Sequence, residues 1–273
     1  MRVRQRQARR LAVVPAFNEE LTVAKVLDRL YDFVDELVVV DDGSTDATRA
    51  EIESWLPGHD EVRLLLHEQN KGMSEAYYSA FSDLRQRVKI GELDADDVVY
   101  TVDADGQHEL SVLDDLHQLL IDENLDALLV RRDLSIYPIY KRVGNFAISA
   151  WASLWAGASL PDVESGYRIF RIGALAHALD YYRGYRYSET VEVAVVLKRL
   201  GYRVRTDVVV PVPVYRSRTR MRDVVIDLAM IPVAAWRSTR PLGWFGRLRA
   251  LAVPAAVTAF PVAVVITGRR RLR

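Results

Sequence analysis

Residues 100–109 read YTVDADGQHE, an apolar run that passes without a break into two aspartates one residue apart. Aromatic and β-branched residues ahead of the first aspartate predict a strand, and two carboxylates at the end of a buried strand need a reason to be held side by side. The flanking sequence repeats the arrangement. Strands are expected at Leu11 to Pro15, Glu36 to Val40, Val62 to His67, Val98 to Val102 and Asp126 to Val130. Helical spacing separates them, over Glu20 to Phe33, Asp46 to Leu56, Ser74 to Arg85 and Ser111 to Ile121. This alternation predicts an α/β fold, a mainly parallel sheet with helices on both faces. Ligands in such sheets bind beyond the carboxyl ends of the strands. The polar clusters fall there: PAFNEE (15–20), DDGSTD (41–46), NKG (70–72) and DADGQ (103–107).

The whole chain has 273 residues, half of them apolar, enough for one sizeable core. It has no cysteine, which excludes disulfides and thiolate zinc sites. A formal net charge of zero conceals an asymmetry, because residues 216–273 hold twelve Arg against two Asp. The expected organisation is a basic arm at 1–10, a catalytic body at 11–215 and a basic, apolar tail at 216–273 that meets an anionic surface. Within the tail, Ala250 to Gly268 is uncharged and flanked by arginines, the pattern of a segment that enters a membrane. Asp223 to Trp236 reads as a helix lying in the interface. No stacked-aromatic motif or recognition-helix pattern argues for nucleic acid.

The chemistry that suits these clusters is diphosphate handling. Mg2+ or Mn2+ takes a few carboxylate oxygens plus substrate phosphates. Asp103 and Asp105 can offer a metal ligand and a ribose or phosphate contact, and Gln107 a neutral oxygen. Blander readings stand beside these. Asp103 and Asp105 cap the following helix, Asp41 to Ser44 form an ordinary turn, and His108 is a surface loop residue. Gly72 either presents backbone amides to phosphate or is plain loop.

VVPAFNEE, LVVVDDGSTDAT, NKG, VDADGQH, ESGYRIF and SETVEVAVVLKRLGYRV, in that order, resemble the successive motifs of family 2 nucleotide-sugar glycosyltransferases, and within them the polyprenyl-phosphate, dolichyl-phosphate mannose synthase-like branch. The resemblance runs from Leu11 to Arg222. It implies a GT-A fold, a metal-dependent inverting transfer and an active site on the cytoplasmic face of a membrane. By position it implies that Pro15, Phe17, Glu19, Val40, Asp42, Asp103 and Ala104 contact the nucleotide sugar. Asp105 and Gln107 would bind metal, with Glu189 a further ligand. Arg132, Arg142, Arg216 and Arg222 would hold an acceptor phosphate. The chain departs from the pattern at LLVRRD, where Arg131 and Arg132 compete for one role, and at YRSRTRMR, which lacks the usual Gly.

A lipid-phosphate acceptor is already ionised near neutral pH and needs no strong base. A sugar hydroxyl does, and Glu189 is the candidate this reading names. Two other classes are a receiver-like signalling domain, which would be about half this length, and a membrane-tethered nucleotide-binding scaffold without turnover.

Overall fold

Runs of Val, Leu and Ala form strands that are buried on both sides. The computed structural model describes residues 8–182, 184, 188–211 and 221–240, so Arg216 and the segment 250–268 lie outside the described residues. The strands are β1 (Arg10–Ala16), β2 (Glu36–Asp41), β3 (Val62–Leu66), β4 (Val98–Thr101), β5 (Ala127–Leu129), β6 (Arg131–Arg132), β7 (Arg168–Arg171), β8 (Val204–Arg205) and β9 (Val209–Val210). The helices are α1 (Val23–Tyr31), α2 (Thr48–Trp55), α3 (Met73–Lys89), α4 (Leu113–Asp122), α5 (Ile139–Ala156), α6 (Ile172–Ala178), α7 (Glu189–Arg199) and α8 (Met221–Arg237).

Seven strands make one sheet in the order β3-β2-β1-β4-β7-β5-β8, and β6 pairs separately with β9. The pleat sends alternate residues to opposite faces. Leu11, Val13, Val38 and Val40 pack against α3 and α5 through α8, while Ala12, Val14, Leu37 and Val39 pack against α1, α2 and α4. Three layers result, with helices on both faces as expected.

One strand runs the other way. β7 is antiparallel to both β4 and β5, pairing Thr101 with Arg168 and Leu129 with Arg168. Reversal has a consequence for the site. The chain enters β7 at the edge where β1, β2 and β4 end, so the loop 162–167 lies on the same edge as Asp103.

At the far end, α8, expected as a helix lying in the interface, packs one of its faces on the body. Ile231, Ala234 and Ala235 are fully buried in the core that α5 and α7 share, and only the face carrying Val225, Leu228, Val233 and Trp236 is exposed. Among the described residues no helix is long and apolar enough to cross a membrane.

Candidate active site

The loops that follow β1, β2 and β3 are laced together. Asn18 donates its amide to Ser44 Oγ at 3.1 Å, and its Oδ1 accepts from the Thr45 amide at 2.8 Å. Asn18 has φ 55, a left-handed conformation that Asn tolerates better than most residues. The Glu19 amide donates to Thr48 Oγ1 at 2.7 Å, and Glu20 Oε2 accepts from the Ala47 amide at 2.9 Å. Pro15 stands opposite Val40 in the parallel register, both buried, with Phe17 just beyond.

Asp42 closes the lacing. It is buried, and its carboxylate accepts from His67 Nδ1 at 2.6 Å, Asn70 Nδ2 at 3.1 Å, the Lys71 amide at 3.0 Å and the Gly72 amide at 2.8 Å. His67 Nε2 in turn meets Ser79 Oγ at 2.9 Å. The Gly72 amide, weighed above as a phosphate donor, is therefore given to Asp42. Gly43 is required by space and conformation alike: its φ is +68, and a Cβ there would lie 2.3 Å from the backbone of Gln69.

After β4 the geometry changes. Ala104 is buried, whereas Asp103 and Asp105 are each partly exposed. Asp105 accepts from the Gln107 amide at 3.0 Å and from Gln107 Nε2 at 2.6 Å, so the two candidate ligands already meet. Neither Asp103 nor Asp105 caps the next helical turn, because Glu109 does so by accepting from the Ser111 amide. Asp103 Oδ1 accepts from Tyr77 Oη at 3.3 Å, and burial raises its carboxyl against the opposing pull of that bond, Arg132 and Arg168.

His108 is not the surface loop residue expected. It is buried and stacks on Tyr167, centroids 4.7 Å apart at 12°. Burial lowers its pKa to about 4, with Asp105 pulling the other way. Its Nδ1 accepts from the Asp103 amide at 3.3 Å, which puts the ring proton on Nε2, 3.6 Å from Asp103 Oδ2.

A pocket opens here, lined by Asp103, Gln107, His108, Arg132, Tyr137 and the stretch Glu164–Gly166. Of the competing arginines, Arg132 lines it and Arg131 is exposed. Arg132 is clamped by Asp162, through Nε at 3.0 Å, Nη2 at 2.8 Å and its own amide at 2.9 Å. Burial alone would raise the Asp162 carboxyl; Arg132 and Asn145 outweigh it and hold the carboxyl below the usual range. Asn145 Nδ2 spans Asp162 Oδ1 at 2.7 Å and Glu164 Oε2 at 3.1 Å.

Glu164 is the residue the sequence reading missed. Its Oε2 takes the Asn145 bond and lies 3.9 Å from Arg132, while Oε1 accepts no hydrogen bond among the described residues. Burial raises its carboxyl despite Arg132 and Asn145. Arg168, also passed over, is buried and straps the loop beneath by donating to the carbonyls of Ser165, Thr190 and Val163. ESGYRIF was the available signal: an arginine in a strand this apolar needs carbonyl or carboxylate partners.

The remaining candidates are not brought to the pocket. Glu189, the first residue of α7, is buried with Oε1 unbonded, and burial pushes its pKa up to about 7 against Arg168. It neighbours Asp103 electrostatically but does not line the pocket. Arg142 is exposed on α5. Arg222 lies in α8, with its side chain outside the described residues.

Among the described residues no three of His, Asp and Glu converge to hold a metal unaided. The donor set fits a hard cation nonetheless, because Asp105, Gln107 and Asp103 offer oxygens only, and such ions usually complete their shell with water and substrate phosphates.

The sequence profile described as Glycosyl transferase family 2 matches residues 11–156. The chain is 28% identical over 205 residues to the UDP-N-acetylglucosamine–dolichyl-phosphate N-acetylglucosaminyltransferase of Methanococcus voltae, spanning 68% of this chain and 79% of that protein. It is 26% identical over 232 residues to the undecaprenyl-phosphate mannosyltransferase of Micrococcus luteus, spanning 83% and 93%. A mannosyltransferase from Pyrobaculum calidifontis, solved with GDP-Man and Mn2+, has a similar fold with a TM-score of 0.59 at 20% identity, covering 96% of this chain and 79% of that one.

Proposed function

The chain belongs to glycosyl transferase family 2, and from that membership we propose that it transfers a hexosyl group, with inversion, from a nucleotide-diphosphate sugar to a polyprenyl phosphate at the cytoplasmic face of a membrane. The names of the two curated relatives support the acceptor class. Residues 11–215 are the catalytic body and 216–273 the membrane-facing tail. The observation that carries the reading is the pocket itself: Arg132, a cation fixed in orientation by Asp162, faces the edge that holds Asp103 and Gln107.

In this mechanism Pro15, Phe17, Glu19, Val40 and Asp42 with its laced loops form the nucleotide side, and Asp103 and Ala104 complete it. Asp105 and Gln107 would hold Mg2+ or Mn2+, which when bound would neutralise charge on the leaving diphosphate; Gln107, whose Nε2 now donates to Asp105, would have to turn its amide oxygen inward. Arg132, joined by Arg142, Arg216 and Arg222 in the loaded enzyme, orients the acceptor phosphate. Its oxygen attacks the anomeric carbon opposite the diphosphate, the new C–O bond forms as the old one breaks, and the nucleoside diphosphate leaves with the electron pair. Fixed dipoles and positioning supply most of the acceleration. The test is purified protein with GDP-mannose or UDP-glucose, Mn2+ and polyprenyl phosphate. Nucleoside diphosphate should appear only when the acceptor is present, and its absence with every donor leaves a binding scaffold.

One observation favours a second reading, transfer to a sugar hydroxyl. Glu164 offers a free carboxylate oxygen inside the pocket, with its pKa raised toward the range a general base needs. Glu189, proposed from sequence for that task, does not line the pocket.

A further inference from the structure

Five large apolar side chains stand in solvent along eleven residues of chain, 136–146, beside the pocket. Ile136 is 57% exposed, Ile139 75%, Tyr140 70%, Val143 63% and Phe146 65%. Ile139, Val143 and Phe146 follow at four and three residues on one stripe of α5, with Tyr140 at its edge and Ile136 in the turn that leads into it. The opposite face of the same helix, Asn145, Ile148, Ser149, Ala152 and Ser153, is buried. The side of the helix that faces out therefore carries the larger apolar residues, while half of the buried side is Asn and Ser, an arrangement a soluble surface does not need.

Charge identifies the occupant. Residues 134–161 contain no Asp or Glu, and their only charged side chains are Arg142, exposed at the edge of the stripe, and Lys141, half-buried on the other side of the helix. A second copy of this chain meeting the stripe across a two-fold axis would bring Arg142 toward its own image. An anionic bilayer matches both components: acyl chains take Ile, Val and Phe, the headgroup layer takes Tyr, and long cationic side chains reach lipid phosphate. The apolar surface also continues onto α8. Trp151 Nε1 donates to the Leu228 carbonyl at 3.0 Å, and Val225, Leu228, Val233 and Trp236 are exposed beside that contact.

We propose that the outer stripe of α5, continued by the exposed face of α8, seats the catalytic body in the headgroup layer of an anionic membrane. The inference rests on the lipid-acceptor reading for its purpose and adds the surface that serves it. Tyr137 lines the pocket and lies between Ile136 and Ile139. A bilayer on the stripe thus holds the pocket mouth at headgroup depth, where a lipid phosphate resides, and the acceptor need not leave the membrane to reach Arg132.

The absence of cysteine makes the test direct, because one introduced thiol takes all of the label. Val143→Cys in the full chain is labelled with an environment-sensitive fluorophore and mixed with phosphatidylglycerol–phosphatidylcholine vesicles. Glu53→Cys, exposed on α2 across the sheet, is the control. At position 143 iodide quenching should fall several-fold and nitroxide lipids should quench, while position 53 stays unchanged. The pair Val143→Glu and Phe146→Glu should lower transfer to polyprenyl phosphate in vesicles by roughly tenfold or more, with transfer in detergent micelles intact. A label that remains open to iodide with vesicles present overturns the proposal. So does a label already shielded without lipid, by the chain's own tail if independent of protein concentration and by a second copy if not. Micellar transfer separates the two readings: present with a wet label, it keeps the acceptor and removes the surface; absent with a shielded label, it keeps the surface and removes the acceptor.

Discussion

The two walls of the site are built by different means. On the side of β1, β2 and β3, loops are tied mainly through backbone amides, with Asp42 alone accepting four hydrogen bonds. On the side of β6 and β7, Arg132, Asp162, Asn145 and Glu164 hold one another through side chains. A backbone-tied wall is rigid before a ligand arrives, which suits a nucleotide that every turnover presents alike. A wall of exchangeable charges can pass an arginine contact from a protein carboxylate to an incoming phosphate. Under the proposed function the first wall would recognise the donor and the second the acceptor, and substitutions on each should separate the two.

The largest effect belongs at the seam. Asp105→Asn removes the carboxylate proposed to hold the cation that shields the leaving diphosphate and should cut transfer by about 10²–10³-fold, with thermal melting nearly unchanged. Wild-type rates in this variant, or in wild type with excess chelator, would break the metal assignment.

On the acceptor wall, Asp162→Asn releases Arg132. Loss of a charged hydrogen-bonding partner of this kind is worth ~1.5–3 kcal/mol, so transfer should fall by roughly 10- to 100-fold through the acceptor KM. Nucleotide affinity by calorimetry should not move, and if it falls equally the walls are not independent.

Asp42→Ala is the mirror experiment. Four donors lose their acceptor and the 69–72 loop loosens, so nucleoside diphosphate and intact donor should both bind about tenfold more weakly, as expected for loss of uniform binding. Unchanged affinity would move the nucleotide elsewhere.

The smallest effect is on stability alone and differs in sign between two carboxylates. Glu189 has a folded pKa of about 7, above its reference of 4.5, so its burial costs stability once pH rises from the lower value through the higher. In metal-free buffer Glu189→Gln should melt with wild type in acid and above it at pH 8, by on the order of 1–3 kcal/mol. Asp162 is shifted the opposite way. Its pairing stabilises at neutral pH and is lost as pH falls through its depressed folded value, so the acceptor wall should loosen in acid first.

Sequence made the donor wall legible and most of the acceptor wall not. β1 through β5 lie within a residue or two of their expected positions because each is a local run of apolar residues, and PAFNEE and DDGSTD mark their own turns. The acceptor wall joins residues 132, 145, 162 and 164 through a reversed strand, and no local pattern announces that a strand of four residues will run backwards. His108 was misread for a related reason. A polar residue in a polar loop predicts exposure, and only the distant Tyr167 buries it.

The central claim is transfer to a lipid phosphate, and the linkage of the product tests it most directly. Purified full-length protein, GDP-mannose, Mn2+ and an equal mixture of polyprenyl phosphate and polyprenol are incubated together, and the lipid product is resolved by phosphorus and proton NMR. The account predicts a sugar joined through phosphate, with the anomeric configuration opposite to that of the donor. A product joined to the alcohol, retention of configuration, or nucleoside diphosphate released at the same rate without any lipid would contradict it.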